Sequence, residues 1–551
     1  MKTQVRILLV GVLVSLMSSV CAQEKQQKDL DWYNCSFETD SVYGAEVNKA
    51  YEFLKGKEVK ETPVVAMIGL GLDVDHEDLI DAIWENPNPM RGDINGWNFI
   101  GGRDGEMLVT TPTVADREFE RLKDKYANLT FCGGKFWSIE NEQIVEYTGE
   151  VNREEYEWYD WVRQTRSSEV MQVYASLIVS YFMRDFVARV DRDMRAKFPD
   201  RELTRADFIE MIKEPGYRKH SMDSASAYFS EVRMAIAKRD DWKYITDDIL
   251  SGNDIQRAKE KCKQVESRLD LGIRKRVVGD DFRDLNDTNY GNNTLFTSAC
   301  IGEVMQAGII AAKRGNGLGG DGIADFARLM PLVAYPEKGE PYAKDIVLAV
   351  RYAVDHGANI IVLAYQPRVT TPQARQWYED AMRYAESKDV LVVIPAWEWG
   401  ERMEKGEYAP NRFTKTGELS NIIVVSPSDK KGNPSLNSNF SPVEVDIYAP
   451  GIDIYASTPG DMYQMGAGTI LCAGTVAGVA ALIRGYYPHL RAGQVRTLLM
   501  ENVTTRDGIE VEKGVVLPGR RIQDLYLFEE LCGAKGIVNA YKAVVAADKI
   551  K

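Results

Sequence analysis

Residues able to do chemistry are sparse, and their neighbours are unusual. Gly468–Leu482 reads GTILCAGTVAGVAAL, a run of small residues with Ile470 near its start, hydroxyls at Thr469 and Thr475, and no serine. Small residues let a helix approach a sheet closely, so the segment is predicted to be a buried core helix. The four histidines are His76, His220, His356 and His489. His356 stands before Gly357 at a predicted helix end, where a cation suits the dipole. His489 follows Pro488 in a loop, and His220 lies in a charged middle zone. Nucleophilic sulfur could come from Cys300 or Cys472, but a thiolate needs a base beside it. Asp73 with Asp75, and Asp321 with Asp325, are loop acids without a ligand spacing, so no metal or other cofactor is expected.

These residues must be positioned by a large scaffold. A chain of 551 residues accommodates one α/β domain of roughly 300–350 residues and an added module. With 44% hydrophobic and 27% charged residues the chain is globular rather than disordered. A net charge of -14 argues against nucleic acid or an anionic membrane as the main partner.

Lys2 and Arg6 precede an apolar run from Ile7 to Met17, and Val20 and Ala22 are spaced for cleavage after Ala22. Residues 1–22 are therefore expected to be a signal peptide, making the protein secreted or periplasmic. Cys21 offers the alternative of a lipid anchor, though Val20 is bulky for that signal. No later run predicts a transmembrane segment. The other cysteines, Cys35, Cys132, Cys262, Cys300, Cys472 and Cys532, lack a CxxC spacing. They predict neither a zinc site nor a disulfide scaffold, and leave one or two disulfides open.

After an extension over 23–60, PVVAMI (63–68) is a continuous apolar strand running into Gly69-Leu70-Gly71. Asp73–Leu79 is predicted to start a short helix, and Gly96–Gly102 a turn and short strand. Residues 106–280 change character. They are rich in charge and aromatics, with Val170, Val173, Tyr174, Leu177, Tyr181, Val187 and Val190 forming one helical stripe. Thr204 and Asp207 can cap a further helix. This zone is expected to be a helical insertion, dividing the main domain into 61–105 and 281–551. The second part alternates: strands at 326–332, 360–365, 390–395, 422–426 and 445–448, helices at 342–356 and 373–387. Such alternation predicts an open, mainly parallel α/β sheet.

In this order the pieces resemble the subtilisin-like serine peptidases (S8 type). Val65–Asp73 with His76-Glu-Asp-Leu79 is similar to VAVIDSGID…HPDL; Gly302–Ala312 is similar to HGTHVAGIIAA, and Asn316–Ala324 continues the match. Gly468–Leu482 is similar to GTSMAAPHVAGVAAL, and Gly536–Val544 to the closing helix. The resemblance, over roughly 60–105 and 281–545, implies a three-layer α/β fold around a mainly parallel sheet.

It also implies where the chemistry should be. The family's mechanism uses a serine activated by histidine, which a carboxylate orients. The aspartate position falls on Gly69, the histidine on Gly302, the serine on Ile470, and the oxyanion-hole asparagine on Glu398 within Ala396–Gly400. Glycine cannot hold a proton and isoleucine cannot attack a carbonyl. An ionised Glu398 would repel a developing oxyanion. A peptide-pairing edge would fall on Ala364–Pro367, where Gln366 and Pro367 alter it. Trp397 and Trp399 would fill the lost site or line a new pocket, so Tyr365, Gln366, Trp397 and Trp399 form the candidate binding cleft. The expectation is a pseudopeptidase that binds a protein or peptide. The alternatives are a hydrolase with relocated catalytic residues, and an assembly subunit joined through the insertion.

Overall fold

A computed structural model describes residues 30–140, 143–200, 202–211, 249–268, 270–367, 370–517 and 520–550. The expected signal peptide, Cys21 and His220 lie outside the described residues. The chain divides into two compact units, Thr110–Leu271 and the remainder.

The main unit is built on a nine-stranded sheet. Its strands are β1 (Val64–Gly69), β2 (Trp97–Asn98), β3 (Arg328–Val333), β4 (Ile360–Leu363), β5 (Leu391–Pro395), β6 (Ile422–Ser428), β7 (Ile447–Pro450), β8 (Thr504–Thr505) and β9 (Gly536–Ile537). The order across the sheet is β8-β9-β7-β6-β5-β4-β1-β3-β2, parallel except where β8 meets β9. β1 is an interior strand, with Val65 opposite both Leu329 and Ile360. A strand covered on both faces needs no polar alternation, which is why PVVAMI is apolar throughout.

Helices lie on both faces. Val65 and Met67 point into a core shared with α1 (Ile301–Ala311) and α4 (Thr469–Tyr486). Ala66 and Ile68 point into a second core with α2 (Ala343–Asp355) and α3 (Pro372–Ser387). The result is the three-layer, mainly parallel α/β architecture that the sequence predicts. By length and composition α4 could cross a membrane, but 94% of its apolar window is buried within the protein. Gly474 and Gly478 let it come close: a side chain on Gly478 would begin 2.8 Å from Ile323.

Two expectations need correction. Asp73–Leu79 forms turns rather than a helix, followed by one 3-10 turn at Ile80–Ala82. Side chains claim the backbone there: Gly460 N–H donates to Asp73 Oδ2 at 2.8 Å, and Glu77 N–H to Asp461 Oδ1 at 2.7 Å. The inserted unit, 110–271, is shorter than 106–280 and is not wholly helical. It contains an antiparallel sheet of Leu129–Cys132, Lys135–Glu140 and Gln143–Glu146. Its main helix runs from Arg153 to Lys197, with Val187 and Val190 in a small core beside Phe208. Thr204 and Asp207 exchange hydrogen bonds at the start of Arg205–Met211, as their spacing predicts. The disulfides left open by the sequence do not form among the six described cysteines.

In the main unit a buried charge cluster follows the return of the chain at Gly272. Arg274 donates to Asp345 at 2.6 and 2.8 Å and to Asp280 at 2.7 and 2.8 Å. Lys344 donates to Asp280 at 2.7 Å, and the Tyr290 hydroxyl to Asp345 at 2.8 Å. Each buried charge is therefore matched.

Candidate functional site

Gly69 ends β1, Gly302 opens α1, and Ile470 opens α4; the fold brings all three together. A Cβ on Gly302 would lie 3.4 Å from Ile470 Cγ2, so this isoleucine faces the position expected of a histidine. A Cβ on Gly69 would lie 2.8 Å from Glu303 Oε1. The Glu303 carboxylate thus fills the space in front of the strand end, accepting the Leu70 N–H at 3.0 Å. Burial pushes its pKa up from 4.5 to about 7. Gln306, one turn along α1, donates to the Ile470 carbonyl at 2.7 Å and ties the two helix starts together.

Glu398 approaches the same place from the loop after β5. Its Oε1 accepts the Thr469 N–H at 2.7 Å, so a carboxylate occupies the N-terminal end of α4. That end carries free N–H groups and the positive pole of the helix. The loop is held in an uncommon shape: Trp397 has φ of 67°, a left-handed conformation costly for a bulky residue. Asn439 fixes it, with N–H donating to the Trp397 carbonyl at 2.8 Å and Oδ1 accepting from Trp399 and Glu401 at 3.1 and 3.0 Å.

The expected cleft residues form an aromatic row. Tyr365 and Trp397 have ring centroids 4.5 Å apart, Trp397 and Trp399 5.8 Å, and Trp399 stacks on Tyr408 at 5.9 Å. Tyr365, Trp397 and Trp399 are half-buried, so the row both fills space and keeps a surface. Gln366 is buried and turns inward, donating to the Pro410 carbonyl at 2.6 Å.

The other candidates are elsewhere, buried or already hydrogen-bonded. His76 is buried against Tyr463, with Nδ1 accepting the Asp78 N–H at 3.2 Å. His356 caps α2, its Nδ1 2.8 Å from the Tyr352 carbonyl, and His489 Nε2 lies 3.2 Å from the Ile550 carbonyl. Burial pushes the Cys300 thiol up to about 11 and Cys472 well above its ordinary value, the latter aided by Glu398. Cys472 donates back to the Thr469 carbonyl at 3.0 Å. Asp73, Asp321 and Asp325 accept backbone N–H groups. Among the described residues no group of three or more His, Cys, Asp or Glu could hold a metal.

Glu303 is the site residue that reading the sequence did not single out. Its signal was present: it falls where the family pattern HGTHV has glycine, next to Gly302.

Residues 304–516 match the Subtilase family. Thermitase of Thermoactinomyces vulgaris is 32% identical over 209 residues, covering 38% of this chain and 67% of thermitase. The chain belongs to the subtilase family. The thermophilic serine proteinase of Bacillus sp. (strain AK1) is 29% identical over 206 residues, covering 37% of this chain and 45% of that protein. Subtilisin DY of Bacillus licheniformis is 28% identical over 213 residues, covering 38% and 73%. The aligned part of this subtilase thus spans less than half of the thermophilic serine proteinase and about two thirds or more of thermitase and subtilisin DY. Among solved structures, the prenylagaramide maturation protease PagA is similar, with 21% identity, a TM-score of 0.35, and coverage of 43% of this chain and 79% of that one.

Proposed function

We propose that this subtilase is an exported pseudopeptidase: it binds a protein or peptide and does not hydrolyse peptide bonds. The observation that carries this is the meeting of Gly69, Gly302 and Ile470 with no nucleophile or base among them. An acyl transfer needs a nucleophile, a base to take its proton and donors for the oxyanion. Here isoleucine stands opposite glycine, and Glu398 claims the Thr469 N–H. The nearby thiols, raised by burial, are poor thiolate sources at neutral pH. Export rests on the charge and apolar pattern of residues 1–22. Binding rests on the half-buried row Tyr365, Trp397 and Trp399, since aromatic surface is favoured where apolar or extended ligands dock.

The test is incubation of the purified protein with a mixture of unfolded proteins, with new termini counted by mass spectrometry. A variant combining His76→Ala and Cys472→Ala runs alongside. Cleavage by the native protein that disappears in the variant would sink the proposal and favour relocated catalytic residues. Retention of uncut peptides, weakened by Tyr365→Ala, is the expected result.

A further inference from the structure

Arg375 lies in the first turns of α3, whose positive N-terminal end makes a cation there electrostatically costly. The guanidinium is half-buried and donates only to carbonyls: Nη1 to Gly406 at 3.0 Å and Tyr408 at 3.5 Å, Nη2 to Glu407 at 2.8 Å. These bonds engage Nη1 and Nη2. Nε has no acceptor among the described residues, and Nη2 carries a second hydrogen beside the one given to Glu407, so the Nε–Nη2 edge can still take a carboxylate in bidentate fashion. Burial lowers the pKa of Arg375, and no neighbouring carboxylate offsets that cost.

Arg375 lines a cavity of about 320 Å³ together with Lys415, Asn411, Tyr378, Pro410 and Phe413. Lys415 likewise has no carboxylate partner among the described residues. The acid in the lining is Glu379, and its charge is already taken: Arg383 donates to Oε1 at 3.0 Å and Lys415 N–H to Oε2 at 3.5 Å. Two uncompensated cations, a helix N-terminus and apolar walls therefore share one concavity.

We propose that this cavity is a binding site for a small organic carboxylate. Its anionic group is taken by the Nε–Nη2 edge of Arg375 and the Lys415 ammonium, and its apolar part lies against Phe413 and Pro410. The site does not depend on the peptide-binding reading of the cleft. It is linked to the cleft through Arg375, which holds the carbonyl of Tyr408, whose ring stacks on Trp399.

The probe is benzoate, titrated calorimetrically into the full chain at constant ionic strength, with benzyl alcohol as the uncharged control. Saturable binding of benzoate is expected, with none of benzyl alcohol. Arg375→Gln and Lys415→Ala should each weaken it by about ten-fold, the usual effect of losing one charge-assisted contact. Lys415 belongs to a short exposed hairpin, so its variant keeps the test decisive if Arg375→Gln fails to fold. No saturable benzoate binding, equal binding of benzyl alcohol, or binding unchanged in Lys415→Ala overturns the proposal.

Discussion

Glu398 Oε1 lies 2.7 Å from the Thr469 nitrogen, so a carboxylate of the protein itself caps the helix that begins at Thr469. An anion is favoured at that end of a helix, and the contact stabilises the start of α4.

Replacing Glu398 should therefore cost stability despite its exposure. Glu398→Ala is expected to lower the free energy of unfolding by about 1 kcal/mol, and Glu398→Gln by less, since an amide oxygen still accepts. Urea unfolding of the three proteins measures this; equal midpoints would show that the cap is idle.

Gly69 and Glu303 are coupled by space. A side chain at residue 69 meets the Glu303 carboxylate, so Gly69→Asp alone is expected to destabilise by about 2–4 kcal/mol. Adding Glu303→Gly removes the clash and should recover most of the loss. Thermal denaturation of both variants tests the coupling, which predicts clear non-additivity.

The buried Glu303 also sets a pH dependence. Its pKa is about 7 in the folded chain against 4.5 for the free side chain, so between these values the folded state holds more protons. This contribution is fully present below pH 4.5, falls as pH rises through 7, and is flat above. Its full size is about 3 kcal/mol. Glu303→Gln should lack this slope. Urea midpoints across pH 4.5–8, taken as the difference between native and variant, read it directly.

Thiol reactivity should separate the cysteines. Cys132 is exposed, while Cys35, Cys262, Cys300, Cys472 and Cys532 are buried. Brief alkylation of native protein, mapped by peptide, should modify Cys132 and spare Cys300, Cys472 and Cys532 until denaturant is added. Rapid labelling of Cys472 would contradict its placement.

The cluster around Arg274 should be brittle. Asp345→Ala leaves Tyr290 without its buried acceptor and Arg274 with Asp280 alone, which Lys344 also claims, and a loss of about 3–5 kcal/mol is expected in equilibrium unfolding. A loss under 1 kcal/mol would mean that water or Asp280 takes over.

Much of the main unit was legible because its elements announce themselves locally. β1 is one apolar run, α4 is a run of small residues, and Gly357 with φ of 81° stops α2 where expected. What escaped is what depends on partners distant in sequence. Asp73–Leu79 looks helical until Gly460 and Asp461 engage it from across the chain. The hairpin in the insertion did carry a local sign, Gly133-Gly134 between Phe131 and Phe136, but the surrounding charge masked it. At the site, the residue types at 69, 302, 470 and 398 could be read directly. That Glu303 fills the place before Gly69 required the convergence of β1 and α1.

The position of β1 has a consequence for synthesis. Its neighbours β3 and β4 are encoded beyond the inserted unit, so Val64 waits for Arg328 while roughly 260 residues emerge. At about 5–20 residues per second that is roughly 13–50 s. During that time the strand's apolar residues and open edges have no native cover. Synthesis of the inserted unit is complete well before the main unit's sheet can close. The nascent chain therefore carries an uncovered apolar strand through most of its synthesis, and its maturation depends on whatever shields that strand until translation reaches residue 363.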